Sequence, residues 1–493
     1  MYRLVSLLLV STLSVSLSAQ DTLSLSIEEA VALAVEQNYD IQVARGQYDI
    51  ASRNNNPGDA GRYPTVDLNA RQSNQYQYNQ PSNPFALEGT NMSNNLNGSL
   101  DATWQVLGGG RVRFNIERLA QQQQLSAAAL QVEVESQVLQ VEQAYYQALL
   151  SQRRMEVFSN LIKLSRDRIE YNQAKAELGL GSSADVAQVA SNYFNDSISQ
   201  ITQAIQFQQT LYNLKVLIGM DPAVPITLST PLEHDPMLYA TEEVVEQVLA
   251  ENNQLSQARL NEEVALIDIN LRQAAFRPNV SIQGGLTGNY TFFTADFPVR
   301  TTTFSTVDDY QLPPTITEDT NFDWGDFRDI QQAQIDLQND QIINSANEIT
   351  PTSRITQRGY NYGPYFNITF NLPLYDAGTR RRALANAKVT SEITQTRREQ
   401  LERQVEANVR AALFQYNARV RNIDLAREAV DAANLLLSFV QSRYKAGVVN
   451  SFEFRQAQIT YQNAAIAYNQ SIFSAIEAHL IIERLTGQLV ADL

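Results

Sequence analysis

The chain has 493 residues, of which 44% are hydrophobic, 18% charged and 9% aromatic, with 37 Lys+Arg against 53 Asp+Glu, two His and no Cys. The absent thiols exclude disulfides, Cys-ligated zinc, iron–sulfur clusters, Cys nucleophiles and a lipid-modified N-terminal Cys. A net charge of −16 argues against a general nucleic-acid binder, which needs clustered cations to neutralise phosphates, and two histidines are too few for a multi-His metal site.

Arg3 precedes an apolar, Ser-interrupted run from Leu4 to Ala19, and Leu17-Ser18-Ala19 before Gln20 reads as a signal-peptidase site. Residues 1–19 are therefore expected to be a cleaved secretory signal. No later segment has 18 consecutive apolar residues, so an exported chain of this kind would enter a membrane only as a β-barrel.

Residues 27–54 read as a helix that stops at Asn54-Asn55-Asn56-Pro57-Gly58, a cluster of helix breakers. From Pro64 the hydrophobic period becomes two. Strands are expected at about 64–76, with Val66, Leu68 and Ala70 on one face, and at 96–106, with Leu96, Leu100, Trp104 and Val106 on one face. The period then turns helical over 112–177, breaks at Leu178-Gly179-Leu180-Gly181-Ser182-Ser183, and resumes over 184–218. A linker, 221–240, follows.

The order then repeats. Asn38 lines up with Asn252 and Pro64 with Pro278, an offset of 214 residues. Gly179 lines up with Gly447 and Gly219 with Gly487, an offset of 268. The 54-residue difference is an insertion between Pro278 and Tyr375. The first repeat is thus 20–220 and the second 241–493. The second is expected to hold a helix at 241–274, strands at about 278–293 and 361–373, a long helix at 380–445 and a return helix at 452–486. Residues 294–360 form an inserted loop rich in Thr, Asp, Asn and Gln.

Along 380–445, Val405, Val409, Ala412, Tyr416, Val420, Ile423, Ala426, Val430, Ala433, Leu437, Val440 and Tyr444 recur at close to 3.5 residues, the seam of a left-handed coiled coil. Each half therefore reads as a long antiparallel helical hairpin with two strands at one end and a tight turn at the other. The strand alternation fits a sheet half-buried on its own helices as well as a lipid-facing one. Polar faces rich in Asn, Gln, Ser and Thr, with Tyr290, Phe292, Phe293, Tyr360 and Tyr362 near strand ends, favour a wet lumen and an aromatic girdle. Four strands cannot close a pore, so the chain must oligomerise.

Several strings carry no chemistry. Gly179-Leu180-Gly181-Ser182-Ser183-Ala184 matches a dinucleotide fingerprint by letter, but a helix rather than a strand precedes it. Ser182 or Ser183, and Ser451 in the second half, read instead as N-caps of the returning helices. His234 and His479 read as polar or packing residues. No catalytic triad, paired-carboxylate or metal spacing is present, and neither cofactor nor metal is expected.

The duplicated helix–strand–strand–helix–turn–helix unit, the Arg277-Pro278-Asn279-Val280 strand entry, the Gly110 and Gly378 junctions and the Ala446-Gly447 hairpin tip together resemble the TolC-type outer membrane efflux protein family, over about residues 22–490. The resemblance implies a mainly α fold with transmembrane β. Three chains would share a 12-stranded barrel in the bacterial outer membrane, continuous with a periplasmic helical tunnel. It implies a passive duct, not an enzyme, that serves an inner-membrane transporter through a periplasmic adaptor in tripartite efflux or type I secretion. A coiled-coil envelope scaffold without channel activity is the competing reading.

The resemblance also implies roles. Gly179, Leu180, Ser183, Gly447, Val448 and Ser451 would dock the adaptor. Asp185 and Glu453 would line an acidic periplasmic constriction, with Gln188 and Gln456 where a second acid is expected and Val449 where a basic latch is expected. Closure would then rest more on packing of Val448, Val449 and Phe452 than on ion pairs. Arg111, Arg113, Arg380, Arg381 and Arg382 open the long helices, where positive charge opposes the helix dipole and bilayer phosphates are expected.

Overall fold

The computed structural model describes residues 23–79, 89–297 and 353–490. The expected leader, 1–19, and residues 298–352 of the expected loop lie outside them. The elements run β1 (Leu23–Leu25), α1 (Ile27–Gln37), α2 (Tyr39–Asn54), β2 (Thr65–Asn79), β3 (Gly89–Gly108), α3 (Arg111–Glu177), α4 (Ser183–Leu217), β4 (Ile226–Leu228), α5 (Thr241–Glu251), α6 (Asn253–Ala274), β5 (Asn279–Phe297), β6 (Ser353–Asn371), α7 (Thr379–Lys445) and α8 (Ser451–Thr486). The chain divides into a helical unit and a strand unit, the latter Arg62–Gly108 with Pro278–Leu372.

In the helical unit α3 and α7 are each 67 residues long, about 100 Å at the helical rise of 1.5 Å per residue. α3 packs along α4 and α7 along α8. Of the twelve seam residues on α7, eight are buried and Val420, Ala426, Val430 and Val440 are half-buried. The 3.5-residue period keeps that stripe turned toward the neighbouring helices.

The helices expected at 27–54 and 241–274 are each broken in two, at Asn38 and at Asn252. The cause is a side chain that offers the backbone a better bargain than another helical turn. Asn38 Oδ1 accepts from the amides of Asp40 (2.9 Å) and Ile41 (3.1 Å) and so caps α2. Its Nδ2 donates to the carbonyl of Leu217 at 2.8 Å, closing the end of α4. Asn252 does the same for Gln254, Leu255 and the carbonyl of Leu485. These are the joints at which a return helix meets the helix pair stacked beyond it. Gly219 turns the chain there with φ +70°, and a Cβ would lie 2.6 Å from the carbonyl of Gln37, so only glycine fits.

The expected linker contains structure that its letters did not announce. β4 pairs in parallel with β1. Tyr145 of α3, fully buried, donates to the carbonyl of Leu25 at 2.8 Å and accepts from the amide of Thr230 at 3.2 Å. This ties β1 and the linker to one helix. On the second hairpin, His234 from the linker and His479 from α8 come together around Tyr416 and Tyr239, with His234 Nε2 3.0 Å from the Tyr416 hydroxyl and His479 Nδ1 2.8 Å from the Tyr239 hydroxyl. Burial lowers the His234 pKa, and His479 Nε2 also lies 3.1 Å from the Glu483 carboxylate.

The strand unit is one antiparallel sheet in the order β2-β3-β5-β6. Leu68, Leu100 and Leu286 are cross-strand partners on one face, and Trp104, Ile282 and Ile368 form another such row. On the opposite face Asn69 and Ser99 both donate to Asp101, and Tyr365 reaches the same carboxylate across Gly285. A Cβ at Gly285 would collide with the carbonyl of Leu100. The strands run beyond the stretches of clean alternation, β3 beginning at Gly89 and β6 at Ser353, because ladder pairing continues where side-chain polarity no longer alternates. A register shift between Gln105 and Leu107 marks a bulge that ends β3.

Candidate functional site at the hairpin tips

Both tips are built by the same local chemistry. α3 ends with Gly179 at φ +71° and α7 with Gly447 at φ +74°. In the first, the Gly179 amide donates to the carbonyl of Ala176 (3.0 Å) and Leu180 to Lys175 (2.9 Å). In the second, Gly447 donates to Tyr444 (3.0 Å) and Val448 to Arg443 (2.9 Å). Each is a Schellman closure, in which the glycine adopts a left-handed conformation costly for any other residue. The returning helix is then capped, by Ser182 Oγ accepting from Ala184 (3.1 Å) in the first half.

The second cap differs from the sequence reading. Asn450, not Ser451, is the N-cap of α8, its Oδ1 accepting from Phe452 (3.0 Å) and Glu453 (2.9 Å). Asn450 is the partner of Ser182 at the 268-residue offset, and Asn and Ser cap about equally well. Ser451 is drawn into the first turn, where its hydroxyl is buried without a hydrogen-bond partner.

The expected docking residues Gly179, Leu180, Ser183 and Gly447 are exposed, as is Val448, while Ser451 is half-buried. Asp185, Gln188, Glu453 and Gln456 all point to solvent, and among the described residues neither acid enters an ion pair. The apolar trio is split. Val449 packs against the cluster formed by Leu437, Tyr444, Phe454 and Ala457, whereas Val448 and Phe452 are exposed.

Just behind the tips lies a polar network that the sequence reading missed. Asp196 of α4, 5% exposed, accepts both guanidinium nitrogens of Arg455 of α8 at 2.7 Å, together with the hydroxyl of Ser165 at 2.7 Å. Gln458, fully buried, donates to Ser165 at 3.0 Å and accepts from Arg168 at 3.5 Å. Arg168 lies over the Phe454 ring at 5.4 Å, and burial pushes its guanidinium pKa down. Asn172 and the Tyr444 hydroxyl exchange two hydrogen bonds, at 2.7 and 2.9 Å. α3 and α4 are thereby bonded to α7 and α8, first hairpin to second. A signal was available: Val189, Asp196 and Thr210 fall on one heptad stripe of α4, and Leu161, Ser165, Arg168 and Asn172 recur at intervals of four, three and four on α3. Polar letters at seam positions fix register and partner.

The basic residues divide by partner. Arg380 is bound by Asp376 at 2.8 Å and Arg113 by Glu117 at 2.9 Å. Arg382 meets only the carbonyl of Ala377 and the hydroxyl of Thr379, and Arg111 and Arg381 are exposed. Among the described residues no group of acids and histidines could hold a metal ion. No described helix is long and apolar enough to cross a membrane, which leaves the strands untouched.

A sequence profile described as "Outer membrane efflux protein" matches residues 30–220 and 345–488. A search of curated protein sequences finds no match. Among solved structures, the Campylobacter jejuni CmeC outer membrane channel superposes with a TM-score of 0.68 at 14% identity, over 94% of this chain and 85% of that one. The outer membrane protein VceC of Vibrio cholerae gives 0.63 at 14% identity, over 94% and 96%. The open state of the Neisseria gonorrhoeae MtrE outer membrane channel gives 0.63 at 18% identity, over 94% and 89%. At such identities the likeness is one of fold.

Proposed function

Since the chain belongs to the outer membrane efflux protein family, we propose that three copies join their sheets edge to edge and act as the passive exit duct of a tripartite efflux or type I secretion system. The observation that carries this is the four-stranded antiparallel sheet with β2 and β6 at its two edges, neither paired on its outer side among the described residues. Open edges of 15 and 19 residues are untenable in hydrocarbon, where every backbone amide needs a partner. Exposed Val66 and Leu68 on β2 and Phe366, Ile368 and Phe370 on β6 suit a wall whose outer face meets lipid. Twelve strands supplied by three chains satisfy both demands.

In this reading the tips at Gly179 and Gly447, with Leu180, Ser183, Val448 and Ser451, receive a periplasmic adaptor that links the duct to an inner-membrane transporter. Exposed Leu178, Leu180, Val448 and Phe452 supply the apolar contact such an interface needs. Asp185 and Glu453, in the first turns of their helices and without an ion-pair partner among the described residues, would be gathered by a threefold axis into an acidic mouth, with Gln188 and Gln456 one turn further along. The mass of the detergent-extracted protein tests the assembly, combined with conductance in planar bilayers. Three chain masses and a stable conductance support the duct, and a monomer in its native membrane refutes it.

A further inference from the structure

Two clusters in the helical unit remain unused by the duct reading: the arginines that open α3 and α7, and the apolar segment that precedes α7. Leu374 and Tyr375 are each 88% exposed, an unusual state for two large side chains in succession. Five residues later the chain places Arg380, Arg381 and Arg382. Asp376 occupies only Arg380, which also reaches the carbonyl of Ala275 and lies over the Phe276 ring. Arg277 donates to the carbonyl of Gly109 at 3.1 Å, beside the start of α3, where Arg111 is exposed. The cationic surface is therefore shared by the openings of α3 and α7 and the end of α6. Neither long helix has an acid in its first turn, and in α7 the carboxylate of Asp376, just before the helix, accepts from the amide of Arg380 at 2.9 Å. The cation recurs in both halves, since Arg113 and Arg381 are partners at the 268-residue offset.

The depth of this surface follows from the strands. Large exposed apolar side chains run the length of the strands, from Tyr76, Met92, Tyr290 and Tyr362 to Val66, Trp104, Val106 and Phe370 at the ends that lead into the helices. Two residues separate Gly108 at the end of β3 from Arg111, and Asn371 at the end of β6 is nine residues before Arg380. If those side chains face hydrocarbon, the two residues between Gly108 and Arg111 keep that arginine within about 11 Å of the strand end along the chain, and Leu374 and Tyr375 follow β6 as an interfacial apolar and aromatic pair. Guanidiniums with no carboxylate partner among the described residues match phosphate, which they bind in a bidentate fork.

We propose that Arg111, Arg381 and Arg382, flanked by Leu374 and Tyr375, form a binding surface for phospholipid headgroups on the periplasmic leaflet of the outer membrane, with a preference for anionic ones. The inference rests on the strands spanning the bilayer. The full-length protein is reconstituted with equimolar phosphatidylglycerol and phosphatidylcholine, and the lipids it retains are counted by native mass spectrometry. Wild type is expected to retain phosphatidylglycerol severalfold over phosphatidylcholine at low salt, with the ratio falling at high salt, since each arginine near an anionic surface is worth about a fivefold preference. Arg111→Gln/Arg381→Gln/Arg382→Gln is expected to bring the ratio near one. A wild-type ratio near one at low salt overturns the proposal without recourse to any variant, and so does a triple variant that keeps the wild-type ratio. Conductance of the same sample separates the two readings. A protein that prefers phosphatidylglycerol but does not conduct refutes the duct and supports this surface, and one that conducts without preference does the reverse.

Discussion

Replacing Arg455 by alanine strands a buried carboxylate. Asp196 holds both terminal nitrogens of Arg455 at 2.7 Å, and its side chain is 7% exposed against 20% for Arg455. Removing one partner of such a pair leaves a charge in a poorly solvated site, at a cost of about 3–5 kcal/mol. The Ser165 hydroxyl at 2.7 Å remains to accommodate the carboxylate, which favours the lower part of that range. The loss falls on the contact between first and second hairpins, because Asp196 is on α4 and Arg455 on α8. Native-state hydrogen exchange is the suitable assay, since local opening is read amide by amide. At about 1.4 kcal/mol per tenfold, protection of amides around 189–200 and 454–465 should fall by roughly a hundredfold or more. The Asp196→Ala variant should lose as much, because it leaves Arg168 and Arg455 together without an acid. In the double variant the losses should be far from additive, since neither charge then lacks a partner that the other once supplied. Protection within threefold of wild type in Arg455→Ala, or additive losses, refutes the reasoning.

Glu142 on α3 is pushed up to about 8 from its ordinary 4.5, by burial first and then by the nearby Glu483 and Glu28. A carboxyl that keeps its proton in the folded state while the unfolded chain releases it costs stability as pH rises through that window, at most about 1.4 kcal/mol per pH unit. Glu142→Gln should remove this slope, and melting temperatures that fall in parallel with wild type from pH 5 to 8 would contradict it. Asn38→Ala removes the cap of α2 and the bond to the Leu217 carbonyl, and should cost about 1–2 kcal/mol. Asn252→Ala should cost the same in the second half, so denaturation showing no loss in either variant tells against the joint. Alanine at both Asp185 and Glu453 should reduce cation preference in planar bilayers, and an unchanged reversal potential in a salt gradient rules out the acidic mouth.

The periods of the sequence carried most of the fold class. Two offsets, 214 and 268, announce a duplicated unit, and a stripe such as Val405 to Tyr444 is legible because a helix that buries one face must repeat apolar letters every three to four residues. The tip glycines were legible because left-handed backbone at Gly179 and Gly447 admits few other residues. Ser451 misled because Ser is as good a cap as Asn and the two are adjacent; the offset to Ser182, followed strictly, points to Asn450. The breaks at Asn38 and Asn252 were hidden inside apolar patterns that continue on both sides.

Local chemistry, written in neighbouring letters, thus determined the helices, the alternating strands, the turns and the repeat. Contacts between residues far apart in the chain were decided only by the tertiary structure. Tyr145 meets Thr230, His234 meets His479, and Asp196 meets Arg455 across 259 positions. A polar letter at a seam position says that a partner is required, because a buried charge cannot stand alone. Which partner supplies it depends on which helices pack together and in what register, and that is settled by the burial of whole faces rather than by any single letter.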